Sequence, residues 1–428
     1  MIVRKVMKTY IDELDRNIFP FVQYADFADR YPARTAQAFA RDFYDELRAV
    51  SGGLYSVFKK TTEVFQQAPY DFARAMDMPE NLLPYLYIPN TFAEPTWLSR
   101  FDFVLDKRGR PKMVEINADT PCFFIESYYA NGVAAKYMGK EDANAGAMEN
   151  LRRFLKQVYD SSCVNTENCQ SGPFVFSCFD DYKEDYGTTL FLKHTRESVV
   201  PNGDIRFLSF YDLEIDENGI VLPDDSHAAG LYRLHPMEIL IDEETEAGEP
   251  LGAMFLDLYE KHCFSMMNPP EAIIPQNKSF MALVWALAQT ERFFTRSERD
   301  LVECYLTPSY FEDDFASLAD GTYVRKDIWG REGVNIKIIE KTGTSGRTVA
   351  EKYVEHKDEV VRRPGTKGMY QQYIRQPHFT HTADSGTLEG FLTLSCFMLF
   401  DRPSAVGARF SPEAISGIEA YFVPLVVE

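Results

Sequence analysis

At 428 residues the chain is long enough for a large core divided into two or three lobes. Its 26% charged and 14% aromatic residues, with 33 Phe and 24 Tyr, exclude a disordered polymer. A net charge of −20 argues against nucleic acid or an anionic membrane as partner, because phosphate binding needs clustered Lys and Arg, and it permits cationic ligands.

In chain order, the amino terminus "MIVRKVMKTYIDELDR" is charged throughout and reads as no signal peptide. Residues 1–90 read mainly helical, with a helix over "PARTAQAFARDFYDELRAVSGG" that stops at Gly52-Gly53. A hairpin follows from Arg100, then helical residues from Ser127 to Asp160. From Gly172 the pattern becomes strand, loop and helix ("PFVFSCF", "DDYKEDYGTTLFLKHTRE"), with strands at "IRFLSF" and "GLYRLHP", which predicts a small α/β unit. The segment "MMNPPEAIIPQNK" marks a boundary. Beyond it lie a helix at "SFMALVWALAQ" and strands at "YVRKDI", "VNIKIIEK", "MYQQYI" and "GFLTLSCFMLF". The last holds the longest apolar run, too short to span a bilayer and suited to a buried strand. The domains expected are residues 1–145, 146–268 and 269–428. Seven cysteines (122, 163, 169, 178, 263, 304 and 396) form no Cys-x-x-Cys pair, and the seven His show no metal spacing. A reduced, cytoplasmic, soluble protein is expected.

The densest chemistry lies in "RFDFVLDKRGRPKMVEINAD", Arg100 to Asp119. Phe101, Phe103 and Leu105 alternate with Arg100, Asp102 and Val104, which predicts a half-buried strand. If Arg108-Gly109 form a two-residue turn, Asp102 pairs with Glu115 and Arg100 with Asn117. All four side chains then leave one face. Facing carboxylates repel by about 0.2–1 kcal/mol, or more when partly desolvated, so something positive has to accompany them. Asp, Glu and Asn together make an oxygen-only set suited to a hard divalent cation. Carboxylates pointing into water are the alternative, and Arg100 in line with them calls for a phosphate beside the metal.

In "YVRKDIWGREGVNIKIIEK", Lys326 closes a strand, Gly330-Arg331-Glu332-Gly333 makes a loop, and Val334 begins the next strand. A glycine-flanked loop lets backbone N–H groups approach an anion, with Lys as a point charge. A plain hairpin turn is the other reading, and no Walker sequence is present. Lys278 starts a helix in "PQNKSF". "MYQQYI" and Arg409 in "GARFSPEAI" are ambiguous by themselves. Cys122 reads as a buried thiol or, with no His near it in sequence, less readily as a nucleophile.

Taken in order, "RFDF…VEINAD", "DDYKEDYGTT", "NKSF", "YVRKDIWGREGVNI", "MYQQY" and "GAR", from about residue 97 to 412, resemble the synthetase part of the glutathionylspermidine synthetase family, an ATP-grasp group. Metal ligands come first and nucleotide lysines last, the reverse of most ATP-grasp enzymes. No stretch corresponds to the amidase half that some members carry. The resemblance implies a mixed α/β ATP-grasp fold with a helical and α/β pre-ATP-grasp region before it. It implies that Asp102, Glu115 and Asn117 hold two Mg²⁺ that bridge the phosphates of ATP. Arg100 and Arg409 would be catalytic cations. Lys278 and Lys326 would contact the nucleotide phosphates under a loop containing Gly330, Arg331 and Gly333. Gln371, Gln372, Tyr373 and Ile374 would lie at the adenine hinge, and Thr120, Glu184 and Asp185 at the substrates. The implied reaction joins a small-molecule carboxylate of the thiol-peptide kind to an amine of the polyamine kind through an acyl phosphate. Thr120-Pro121-Cys122 with Phe123-Phe124 departs from the family's small hydroxyl residues and implies an altered or tighter acceptor pocket. A phosphotransferase using the same site and a non-catalytic nucleotide-binding relative are the alternatives.

Overall fold

Gly52 and Gly53 do not end a helix. In the structure, a computed structural model describing residues 8–24, 27–162, 172–351, 367–417 and 419–428, helix α1 (Arg41–Gln67) runs through both. A Cβ on Gly53 would stand 2.7 Å from Leu301 Cδ2, so this glycine serves close helix packing, which outweighs its poor helix propensity. The first part of the predicted helix, residues 32–40, is not helical either: Gln37–Phe39 pairs in parallel with Leu425–Val427. The first residues of the amino terminus (1–7), Cys163 and Cys169 lie outside the described residues.

The hairpin is β1 (Leu98–Leu105) and β2 (Pro111–Asn117), and it pairs Asp102 with Glu115 and Arg100 with Asn117. It reaches that register by a different route from a two-residue turn. Residues 106–110 form the connection, organised by the Asp106 carboxylate, which accepts from the Arg108 and Arg110 amides at 2.8 and 3.1 Å. A β-bulge at Val114 then returns Glu115 to its place opposite Asp102. β1 is buried along its whole length, not half-buried. It is an interior strand, and its Phe101 ring packs edge-on to Phe58 of α1 at 5.4 Å.

The α/β unit follows. Strands β3 (Phe174–Cys178), β4 (Ile205–Ser209), β5 (Gly230–Arg233) and β6 (Ser265–Met267) form a parallel sheet ordered β6-β5-β3-β4. Helix α2 (Lys183–Glu197) connects β3 to β4. Helices α3 (Ser279–Gln289) and α4 (Arg296–Tyr305) lead into an antiparallel sheet ordered β7-β11-β8-β9-β10. Its strands are β7 (Ser309–Phe311), β8 (Gly321–Asp327), β9 (Lys337–Thr342), β10 (Ser345–Glu351) and β11 (Gly368–Gln372). Strand β9 starts at Lys337 and not at Val334, because the amides of Val334 and Ile336 turn back onto the carbonyl oxygens of Arg331 and Gly333.

The chain finally returns to the hairpin. Strands β12 (Phe379–Thr382), β13 (Thr387–Leu399), β14 (Arg402–Ser411) and β15 (Tyr421–Phe422) complete a six-stranded sheet ordered β15-β14-β13-β1-β2, with β12 beside β13. The apolar run from Phe391 is thus a buried strand. Two segments remote in sequence, residues 98–117 and 379–422, build this one sheet, and the parallel and antiparallel sheets lie between them in sequence. Among the described residues, no helix is long and apolar enough to cross a membrane.

Candidate active site

Sheet register assembles the site across four strands. Ser395 of β13 stands opposite Asp102, and Arg409 of β14 pairs with Thr393, two residues before Ser395. The Asp102 side chain is 1% exposed and surrounded by donors. Arg100 forms a fork with it through Nε and Nη2, both at 2.8 Å. Ser395 Oγ donates at 2.8 Å, Arg409 Nη2 at 3.0 Å and Asn117 Nδ2 at 3.2 Å. The repulsion expected between the two facing carboxylates is therefore compensated separately on each side.

Glu115 has its own cations. Lys278, immediately before α3, forms an ion pair with it. Burial alone would raise the Glu115 carboxyl, but Lys278 and Lys326 outweigh it and hold the group at about 2. Lys326 reaches over from β8, and its Nζ donates to the Val114 carbonyl at 3.0 Å. The bulge thus does two things at once: it realigns Glu115 and exposes a carbonyl that Lys326 can bind. Burial pushes the Lys326 ammonium down to about 8 against the pull of Glu115. Arg100, Lys278 and Lys326 are each at most 8% exposed. Together with Arg409 they place four cations around two carboxylates.

The donor chemistry fits magnesium bound together with phosphate. Asp102, Glu115 and Asn117 offer oxygen ligands, and Mg²⁺ is commonly held by one or two carboxylates plus the phosphates of a substrate. Among the described residues, no group of three His, Cys, Asp or Glu could hold a metal unaided.

The remaining candidates fall into two groups. Arg331, in the Gly330–Gly333 loop, forms an ion pair with Glu238, which is 2% exposed and belongs to the α/β unit, so the loop is tethered in this structure. Gly333 takes φ +76, a conformation that favours glycine. Gln371 is buried and donates to Ser309 Oγ at 3.1 Å. The amides of Gln372 and Tyr373 are bonded to the carbonyl oxygens of Pro308 and Thr322, so they are engaged within the fold, and Ile374 follows beyond the strand. On the other side of Arg100, its Nη1 donates to the Cys122 carbonyl at 2.9 Å. Phe123 next to it holds φ +84, a strained conformation for a bulky residue. Thr120 is half-buried two residues before Cys122. Glu184 and Asp185 occupy the first turn of α2, and Glu184 accepts a hydrogen bond from the Tyr24 hydroxyl at 2.7 Å. Burial and Glu184 raise Asp185 to about 7. Burial and the neighbouring carboxylates raise the Cys122 thiol well above its ordinary value, which opposes its use as a nucleophile.

Several residues that line this region escape a strand-and-helix reading of the sequence. Asp119 forms a fully buried ion pair with Arg233 and accepts from the Met237 amide at 2.9 Å, which ties the hairpin to the parallel sheet. Asn268 takes the Trp97 and Leu98 amides and donates to the Leu98, Ala118 and Asp119 carbonyls. Glu126, Ser395 and Glu238 are buried as well. The available signal was a charged residue inside a largely apolar run, as in "FFIESYY" and "GLYRLHP".

Fold and site together define the class first: a mixed α/β protein of the ATP-grasp kind. A glutathione synthetase-like effector from Globodera pallida, solved in its apo form, has the same fold at TM-score 0.60, covering 98% of this chain and 95% of that one at 12% identity. Residues 4–428 match the family described as "Glutathionylspermidine synthase preATP-grasp", and the chain belongs to that family. It is 22% identical over 374 residues to trypanothione synthetase from Crithidia fasciculata, a match covering 83% of this chain and 51% of that protein. It is 25% identical over 343 residues to a provisionally named acid–amine ligase from Haemophilus influenzae, covering 77% of this chain and 74% of that protein. The chain thus spans about half the length of the first relative and about three quarters of the second.

Proposed function

We propose that this chain is an ATP- and Mg²⁺-dependent carboxylate–amine ligase that forms an amide through an acyl phosphate. One observation carries the reading. Within a protein of net charge −20, the described residues of this largely buried site set Arg100, Arg409, Lys278 and Lys326 against Asp102 and Glu115. That local positive surplus suits a polyphosphate, and the oxygen ligands within it suit magnesium. The names of the two relatives, a synthetase and an acid–amine ligase, support the reaction class.

In this reading Asp102, Glu115 and Asn117 hold two Mg²⁺, which when bound neutralise charge on the phosphoryl group in transfer. Lys278 and Lys326 fix the nucleotide phosphates, the loop of Gly330, Arg331 and Gly333 covers them, and Gln371, Gln372, Tyr373 and Ile374 border the adenine. Arg100 exchanges its fork on Asp102 for the phosphoryl oxygens, and Arg409 follows the same charge. The carboxylate, of the thiol-peptide kind, binds by Thr120. The amine, of the polyamine kind, is held by Glu184 and Asp185. A cytoplasmic setting belongs to the proposal, and Cys122, Cys178, Cys263, Cys304 and Cys396 are free thiols.

ADP release with glutathione and spermidine together, compared with either alone, tests the proposal. Release that needs both compounds, with an amide found by mass analysis, is the expected result. A phosphorylated product without amide would indicate a phosphotransferase. ATP binding with no ADP formed would indicate a non-catalytic relative.

A further inference from the structure

Of the buried acids that the roles above leave unused, Glu271 accepts a hydrogen bond from Asn90, and Glu126 stands apart. Glu126 opens a turn of π-helix, Glu126–Ala130, a wide turn often found at functional sites. It is 1% exposed, and although the Tyr31 hydroxyl lies beside it, neither carboxylate oxygen has a hydrogen-bond partner of good geometry among the described residues. Leaving a buried polar group unsatisfied costs about 1–3 kcal/mol, so such a group calls for a role. The groups that face it come from every side: Glu184 of α2, Tyr24 and Tyr31 of the amino-terminal segment, and Arg100 of β1. The charges of Glu126, Glu184 and Asp185 all act on the Cys122 thiol, and Cys122 holds Arg100 by its carbonyl. Glu126 therefore lies on the acceptor side of the arginine assigned to the phosphoryl group.

We propose that Glu126 is the proton acceptor for the attacking amine, an assignment that rests on the ligase reading above. The amine arrives as an ammonium ion drawn by Glu184 and Asp185, and gives one proton to Glu126. The neutral nitrogen attacks the acyl carbon of the acyl phosphate. The C–N bond forms, the C–O bond to phosphate breaks, and a second N–H proton leaves with the phosphate. Burial and Glu184 raise the Glu126 carboxyl to about 8, a basicity suited to this transfer. Positioned general bases contribute roughly 10²–10⁴-fold to such steps.

The test uses the full chain with ATP, Mg²⁺ and glutathione, and compares spermidine with hydroxylamine as nucleophile. Hydroxylamine is neutral at pH 7 and needs no base. In Glu126→Gln, amide formation with spermidine should fall by roughly 10²–10⁴ and lose its rise with pH through about 8. Hydroxamate formation should stay close to that of the wild type, and Glu126→Asp should keep part of the spermidine rate. Unchanged spermidine ligation in Glu126→Gln, or an equal loss with both nucleophiles, overturns the assignment while leaving the ligase reading intact. No hydroxamate from the wild type overturns the ligase reading first, and the proton acceptor with it.

Discussion

Asp102 receives hydrogen bonds from Arg100, Arg409, Ser395 and Asn117, so removing its charge strands two guanidinium groups in a buried site. The hairpin pattern alone points the other way, towards relief of repulsion with Glu115. Partner removal in a buried ion pair costs about 3–5 kcal/mol. Arg409 is partly exposed, which argues for the lower end of that range. Asp102→Asn should therefore lower the denaturant midpoint of the protein without nucleotide and abolish Mg²⁺-dependent turnover. A midpoint at or above wild type would mean that the arginines find other partners. Glu126 and Asp185 give the opposite pH signature from an ordinary ion pair. Their folded values lie at about 8 and about 7, above the ordinary 4.5 and 3.8, so the folded state binds their protons more tightly than the unfolded chain does. Their contribution to stability is complete below about pH 4 and is lost as pH rises through 7 to 8. Glu126→Gln should accordingly gain stability over wild type at pH 8 more than at pH 5, measured by urea midpoints. An equal difference at both values would show that Glu126 is ionised in the folded protein.

The elements separate what the sequence makes legible from what it hides. The pairing of Asp102 with Glu115 was read from an assumed two-residue turn at Arg108-Gly109, and it holds because the bulge at Val114 offsets the one-residue shift that the longer connection introduces. The bulge at Val114 was not legible, since nothing local distinguishes that valine from one in regular pairing. Gly52-Gly53 looks like a stop until Leu301 is known to press against it, and Gln37–Phe39 looks helical until Leu425–Val427 is known to pair with it. Ser395 and Arg233 were hidden for the same reason: their partners, Asp102 and Asp119, are remote in sequence. The Arg331 loop is open to a test at this scale. Its ion pair to Glu238 tethers it, so Glu238→Ala should speed tryptic cleavage after Arg331 in the absence of nucleotide. ATP with Mg²⁺ should slow that cleavage, as expected for a loop that closes over phosphates. Equal cleavage with and without nucleotide would contradict the loop assignment.

At the scale of the whole molecule, strands from two segments remote in sequence, residues 98–117 and 379–422, share the six-stranded sheet that carries Arg100, Asp102, Glu115, Asn117 and Arg409. The parallel sheet supplies Glu238 and Arg233, and α2 supplies Glu184 and Asp185. The antiparallel sheet supplies Lys326. A cluster of cations thus adjoins a cluster of acids, with Arg100 between them, and on the proposed reading the first would receive the activated acid and the second the cationic amine. The most direct measurement of this account follows one oxygen atom. Glutathione labelled with a heavy oxygen isotope in its carboxylates is incubated with ATP, Mg²⁺ and spermidine. An acyl phosphate requires that each amide formed release one labelled oxygen into inorganic phosphate, with ADP as the nucleotide product. Unlabelled phosphate alongside the amide, or label transferred to AMP, would contradict it.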